Sequence, residues 1–257
     1  SKRVRLREFT PPAGAPKARL AMGSFHTEIN VPHLAKLRRL WALHGGGGDD
    51  EAFRRRVFCL LMRYNAVAGA NFRGGGFQAA IPGECFDVLK REFGVSMECF
   101  ASPLNCRWHT FCSAYFDTDG HFGSLGSFFD FHPKKGSFEA NPPFDADLVL
   151  AMLEHMEGLL SSRKEPLSFI IVIPFWPDKR CWKRIDKSEW NVRTVTVEKF
   201  GHSYFEGSQH NRSNRFRRAN FDTSCFFLQN AAGSERWPVT DEKVQALKAA
   251  FAAHSGG

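Results

Sequence analysis

The stretch Leu167-Ser168-Phe169-Ile170-Ile171-Val172-Ile173 narrows the fold more than any other part of the chain. It lacks the in-out alternation of a strand with one wet face, so it reads as a strand covered on both sides. Further strands are expected over 95–101, 137–140, 192–199, where the pattern has period two, and 224–229. A helix over 147–160 lies between two of them. Another follows Thr240, with Val244, Leu247 and Phe251 on its buried side. Strands separated by helices predict an open α/β sheet.

Ahead of that sheet the pattern is helical. Helices are expected over 33–43, after a cap at Asp49 or Asp50, and over 84–93, where Gly94 is the stop. In the second of these, Phe53, Val57, Leu60, Leu61 and Tyr64 form the apolar face, and Arg54, Arg55 and Arg63 the wet one. Residues 1–20 are basic and carry Pro11, Pro12 and Pro16, which reads as an irregular arm. It is either a solvated tail or a strap along nucleic-acid phosphate. The expected division is a 1–20 arm, a 21–94 helical region and a 95–257 core. Gly74-Gly75-Gly76 lacks the Gly-Lys-Ser/Thr of a phosphate loop and is read as a turn.

Charge and cysteines bound the function. A formal charge of +8 and a pI near 9.3 favour a polyanionic partner. Seven cysteines, an odd number without a Cys-x-x-Cys pair, suit a reducing compartment. No apolar run reaches the length of a membrane span, and the first residues lack the apolar stretch of a signal peptide. A soluble intracellular protein is expected.

The chemistry concentrates at Asn141-Pro142-Pro143-Phe144, between an expected strand and a helix that starts at Asp145 or Asp147. These four residues have the form of the catalytic loop of methyltransferases acting on a planar nitrogen. An exocyclic amine on a base is a poor nucleophile because its lone pair is delocalised into the ring. An Asn oxygen and the next backbone carbonyl can accept its two hydrogens and aim the lone pair at an electrophilic methyl group. Prolines stiffen such a turn, and an aromatic ring gives the base a face to stack on. A strong base is not required; orientation and placed dipoles do the work.

Glu98-Cys99-Phe100-Ala101-Ser102-Pro103 has the acid-x-Phe-small pattern of the first motif of S-adenosylmethionine-dependent methyltransferases, with Ser102 and Pro103 where glycines are usual. About forty residues separate this motif from Asn141, room for two intervening strands. A ribose-binding carboxylate is expected at the end of the second strand, with Asp119 preferred over Asp117, and an Asx-turn before Gly120 as the alternative. Phe122 either flanks the cofactor's adenine or packs in the core. Cys106, His109 and Cys112 have spacings that meet a metal on one face, but a fourth ligand is missing, so no metal is expected.

Two stretches suit nucleic acid. The first, Phe175 to Arg184, interleaves Trp176 and Trp182 with Lys179, Arg180, Lys183 and Arg184. The alternative is a charged loop with its tryptophans folded inward. The second runs from Tyr204 to Arg218 and offers Gln209, His210, Arg212, Arg215, Arg217 and Arg218. His210 is assigned substrate contact only.

Taken together, these stretches resemble the phosphorylated-CTD-interacting-factor family. Its likeness is carried by Glu98 to Asn105, Phe116 to Gly120 with Phe122-Gly123-Ser124, Gly136 to Phe144, Pro166 to Ile170, Gly207 to His210 and Phe227 to Asn230, in one order from about His33 to Pro238. The resemblance implies a Rossmann-like class I methyltransferase core that uses S-adenosylmethionine and releases S-adenosylhomocysteine. The substrate would be capped RNA beginning with adenosine, methylated at N6 of the adenosine next to the 7-methylguanosine, usually already 2′-O-methylated. By position, Asn141, Pro142, Pro143 and Phe144 would be catalytic. Glu98, Phe100, Ala101, Ser102, Pro103, Asn105 and Asn141 would hold the cofactor. A nuclear site of action is implied, with the cytoplasm as the alternative. Animal members also carry an N-terminal WW domain. No Trp pair at 20–23 spacing occurs here, so that module is expected to be missing, and contact with RNA polymerase II or the capping machinery would lack it. The rival substrate is an internal RNA or DNA adenine. The rival class is a catalytically idle module that holds capped RNA.

Overall fold

The structure is a computed structural model, and it describes residues 3–12, 15–69, 79–205, 210–211 and 216–253. The glycine turn at 74–76 and the candidate residues Gln209, Arg212 and Arg215 lie outside the described residues. The chain forms two compact units, each assembled from separated segments. The first comprises Ser1–Gln78, Ala101–Ser127 and Glu206–Arg215, the second Ala79–Phe100, Phe128–Phe205 and Phe216–Gly257.

The first unit opens with strands β1 (Arg5–Phe9), β2 (Lys17–Met22) and β3 (Phe25–Asn30), paired antiparallel in that order. This corrects the expectation of an irregular basic arm followed by helices alone. Ala18, Leu20, Thr27 and Ile29 are buried, while the intervening Arg19 pairs outward with Glu28 at 2.6 Å. The arginines that suggested a tail are thus the exposed half of a period-two pattern. Pro11, Pro12 and Pro16 sit between β1 and β2, where they cost the ladder no hydrogen bond.

Helices α1 (Val31–His44) and α2 (Asp50–Ala68) follow. Asp49 caps α2 by accepting from the Ala52 amide at 2.7 Å. Leu34, Leu37, Leu40, Phe53, Val57, Leu60 and Leu61 pack with Leu20 and Ile29 into one core, which Phe111 and Phe122 from the later segment complete. The short helix α4 (Phe116–Asp119) belongs to that segment.

The second unit is built on a five-stranded sheet in the order β4-β5-β6-β10-β7. Its strands are β4 (Val95–Glu98), β5 (Gly136–Ala140), β6 (Leu167–Pro174), β7 (Asn191–Val197) and β10 (Thr223–Gln229). β4, β5 and β6 run parallel, whereas β10 is antiparallel to both β6 and β7. Every residue of β6 and β10 is buried, as the apolar run at 167–173 demanded.

Helices cover both faces of this sheet. Phe227 of β10 meets Phe93 of α3 (Gly83–Phe93) at 5.0 Å, and the next residue back, Phe226, meets Trp182 of α6 (Arg180–Asp186) at 5.5 Å. α5 (Ala146–Ser162) is the crossover from β5 to β6, and α7 (Ala231–Arg236) and α8 (Asp241–Ala252) follow β10. Asp145 and Thr240 cap α5 and α8, and Gly94 ends α3 with φ of 66°. A side hairpin joins β8 (Ser203–Phe205) to β9 (Phe216–Arg218).

The architecture is α/β with a mixed sheet. One topological expectation fails: β4 and β5 are hydrogen-bonded neighbours, and none of the sheet's strands lies between them in sequence. The intervening residues instead form turns, short helical pieces and a single bridge between Phe111 and Ser124. No helix among the described residues is long and apolar enough to cross a membrane.

Candidate active site

The Asn141–Phe144 loop occupies the carboxyl end of β5, the position at which open α/β sheets hold ligands. It is short because Asp145 caps α5 at once, accepting from the amides of Asp147 and Leu148 at 3.1 and 2.9 Å. Asn141 donates its side-chain N–H to the Ala79 carbonyl at 2.8 Å. Its Oδ1 is buried and meets no hydrogen-bond partner among the described residues. The amide is therefore anchored by its donor end, with the acceptor end uncommitted. A buried acceptor of this kind is suited to a donor that arrives with a ligand.

Phe144 is fixed by three rings set near right angles to it. Trp176, Tyr204 and Phe221 lie 6.0, 6.5 and 6.2 Å away at 84°, 80° and 86°. Such edge-to-face packing holds a ring without covering it completely, and Phe144 stays half-buried. Tyr204 is in turn tied to a chain of hydrogen bonds whose direction can be read. His202 Nδ1 lies 2.8 Å from the Glu198 carbonyl, which only accepts, so Nδ1 carries the proton. Nε2 then accepts from the Thr223 hydroxyl at 2.8 Å, and Thr223 accepts from the Tyr204 hydroxyl at 2.8 Å. Burial lowers the His202 pKa, which keeps the ring neutral as this chain requires.

Beneath the loop, Glu98 on β4 and Glu139 on β5 are register partners. Burial, and after it the neighbouring Glu98, push the Glu139 carboxyl well above the usual carboxylate range. Glu139 Oε1 has no hydrogen-bond partner among the described residues. Asn141 follows two residues later, just past the end of β5. Phe100, near the end of the same predicted motif, packs its ring on Phe128 at 5.2 Å and Phe129 at 6.5 Å.

The other cofactor candidates belong to the first unit. There the Ser102 amide and hydroxyl reach Asn105 Oδ1 at 2.7 and 2.9 Å, and the amides of Asn105 and Cys106 return to the Ser102 carbonyl at 3.1 and 2.9 Å. Side chains thus close the turn that glycines usually make, and Ala101 and Pro103 flank it. Asp117 and Asp119 lie in α4 and not at a strand end. Asp119 is completely buried, accepting from the Tyr64 hydroxyl at 2.6 Å and the Thr118 hydroxyl at 2.9 Å. Burial lifts its pKa to about 6. Both oxygens are engaged by the chain itself. Asp117 is exposed and paired with Arg63 at 2.8 Å. Phe122 is fully buried beside Trp41. Cys106 and Cys112 are buried, the Cys112 thiol is pushed up to about 12 by burial, and His109 stacks on His44.

The basic stretches divide. Trp176 reaches the catalytic loop, whereas Trp182 turns inward and donates its indole N–H to Ser224 at 2.9 Å. Lys179, Arg180, Lys183 and Arg184 lie in or beside α6, a helix where a loop was expected; all four are exposed, and Arg184 pairs with Glu157 at 3.1 Å. Arg217 and Arg218 are exposed on β9. His210 is different: it is 3% exposed in the first unit, and its carbonyl accepts from the Asn30 amide at 2.7 Å. Burial, followed by the charges of His33 and Lys17, drives its pKa down to about 3. Substrate contact, the role expected of His210, would have to reach a residue with almost no exposed surface. Sequence reasoning gave no role to Glu139, His202, Phe221 or Thr223. Only pairing across distant segments identifies them.

The chain is also similar to known proteins. The chain is 44% identical over 232 residues to an mRNA (2'-O-methyladenosine-N(6)-)-methyltransferase of Homo sapiens, covering 85% of this chain and 33% of that protein. It is 45% identical over 222 residues to the protein of the same name from Mus musculus, covering 83% and 31%. The chain thus spans about a third of the length of the curated relatives it matches. A family model described as the phosphorylated CTD interacting factor 1 WW domain matches residues 36–207. That match overturns the expectation of a missing WW domain, which rested on one short tryptophan spacing and so missed a likeness spread over a far longer stretch. With two thirds of its residues matched, the chain belongs to the phosphorylated CTD interacting factor 1 WW domain family.

Proposed function

We propose that the protein is a methyltransferase that modifies the N6 amine of the cap-adjacent adenosine of mRNA, on a Rossmann-like class I core. The observation that carries this reading is Asn141, with its amide N–H tied to Ala79 and its buried Oδ1 without a partner among the described residues. In the proposed arrangement Oδ1 accepts one hydrogen of the adenine amine and the Pro142 carbonyl accepts the other. The lone pair is then held in the direction of attack. Phe144, braced by Trp176, Tyr204 and Phe221, stacks on the adenine. Pro142 and Pro143 keep the loop from relaxing.

S-adenosylmethionine, when bound, supplies the electrophilic methyl group. The residues suit such a ligand: Glu98 and Glu139 place carboxyl groups able to hydrogen-bond it at the ends of adjacent parallel strands, next to the catalytic loop. Within the second unit, Glu98, Phe100 and Asn141 would contribute to holding it. The resemblance to relatives named for 2'-O-methyladenosine N6 methylation supports adenine over other amines. A phosphorylated polymerase tail is the protein partner that the family's description suggests, with a nuclear site of action.

The test is methyl transfer from labelled S-adenosylmethionine to matched short RNAs beginning with adenosine, capped or uncapped. Label recovered as N6-methyladenosine from the capped RNA alone supports the proposal. Equal transfer to both would keep the enzyme and discard the cap. Failure to transfer and to bind S-adenosylhomocysteine would leave an idle RNA-holding module.

A further inference from the structure

Phe200 has φ of 62°, and among the described residues it is the one non-glycine residue with positive φ. A bulky aromatic side chain is a poor occupant of that region, and strain of this kind persists where the surroundings enforce it. Here the enforcement is visible. The Gly201 amide returns to the Glu198 carbonyl at 3.3 Å, closing a turn with Phe200 in its third place, and the Phe200 amide reaches the Ala219 carbonyl at 2.8 Å. Glycine is the ordinary residue at such a position, yet the glycine comes one residue later.

The strained backbone holds the ring in solvent, 49% exposed. Arg218 from β9 does two things there. Its guanidinium lies over the ring, 5.5 Å from the centroid, and its Nε–H donates to the Phe200 carbonyl at 2.8 Å. A cationic plane and an aromatic ring are thereby locked together at the surface. The platform is also linked to the catalytic loop. The Lys199 amide donates to Asp222 Oδ1 at 2.7 Å, and Phe221 beside it rests against Phe144.

We infer that Phe200 and Arg218 form a stacking platform for an unpaired RNA base adjacent to the target adenosine. Every base offers a π-face, and an aromatic ring backed by a guanidinium accepts one without regard to its identity. The arginine adds charge where the phosphate chain must pass. This inference rests on the proposed action on RNA and adds to it a subsite beyond the reacting nucleotide.

The test uses the full 257-residue chain and two RNAs, a cap-adenosine dinucleotide and a capped pentanucleotide. Phe200→Gly removes both the ring and the strain. It is expected to raise Tm by roughly 2–4 °C, weaken the pentanucleotide about tenfold, and leave the dinucleotide unchanged. Phe200→Trp should restore pentanucleotide binding, and Arg218→Lys, which keeps charge without the plane, should restore little of what Arg218→Ala loses. Wild-type affinity of Phe200→Gly for the pentanucleotide would overturn the inference. So would an equal loss on both RNAs, which would mean that the turn shapes the adenosine pocket. Absence of binding by the unaltered chain to either RNA would overturn the RNA reading itself, and this subsite with it.

Discussion

Glu98 and Glu139 are register partners across two parallel strands, and both are at most 3% exposed. Burial, and after it the neighbouring Glu98, raise the Glu139 pKa well above the usual carboxylate range and favour its protonated form. Its folded pKa lies above that of the unfolded chain, and stability therefore falls as pH rises from about 4.5 towards the folded value. Cys85, Cys225 and Tyr204 also face Glu139 and are themselves held neutral by burial. Glu139→Gln, which imitates the protonated acid, should flatten this loss and melt higher than the wild type at pH 8. Parallel Tm–pH curves for the two proteins would contradict the assignment.

Asn141→Ala removes the open acceptor while leaving β5 and α5 intact. Turnover should fall by about 10²–10³ or more, with Tm close to wild type. Calorimetry beside a methyl-transfer assay separates the two effects. A variant with wild-type turnover would remove Asn141 from the chemistry.

Thr223→Val keeps the shape of the side chain but breaks the Tyr204–Thr223–His202 chain at its centre. Two buried polar groups lose their partner, at a cost of about 1–3 kcal/mol. Phe144 loses a fixed neighbour as well, so KM for RNA should rise along with the drop in Tm. Chemical denaturation and steady-state kinetics would report both.

His210 is held neutral, with its pKa driven down to about 3. A histidine depressed in the folded state supports stability above the unfolded pKa of about 6.5 and loses that support as pH falls below it. His210→Gln should therefore show a shallower acid limb between pH 6.5 and 4 than the wild type. The same slope in both would place the acid sensitivity elsewhere.

Exposed cations on and beside α6 offer a separate handle. Replacing Lys179, Arg180 and Lys183 by Ala should reduce the slope of log affinity against log salt by about 2, the value expected for three phosphate contacts on a single strand. An unchanged slope measured by fluorescence anisotropy would route the RNA away from α6.

Much of this architecture could be read in advance, for local reasons. The apolar run at 167–173 had to be a covered strand. Asp49, Asp145, Thr240 and Gly94 end their helices with short-range hydrogen bonds or a left-handed turn that need no tertiary context. The three-stranded sheet was hidden because its exposed positions are arginines, which mimic a basic tail. Asp119 and His210 were misjudged for a different reason. Asp119 is claimed by Tyr64, a residue 55 positions away, and His210 is buried against Asn30, His33 and Lys17. Glu139 looked like an ordinary strand residue until β4 came to lie beside β5.

The Asn30 amide and the His210 carbonyl close the first unit from opposite ends of the chain. On the ribosome, β1–β3 and the first two helices emerge long before their last segment is made. Likewise, the sheet of the second unit lacks its antiparallel strand β10 until Thr223–Gln229 has appeared. Neither unit can mature as a nascent fragment, so the chain must remain open through most of its synthesis. Expression of either contiguous half should give protein that is captured by chaperones or degraded.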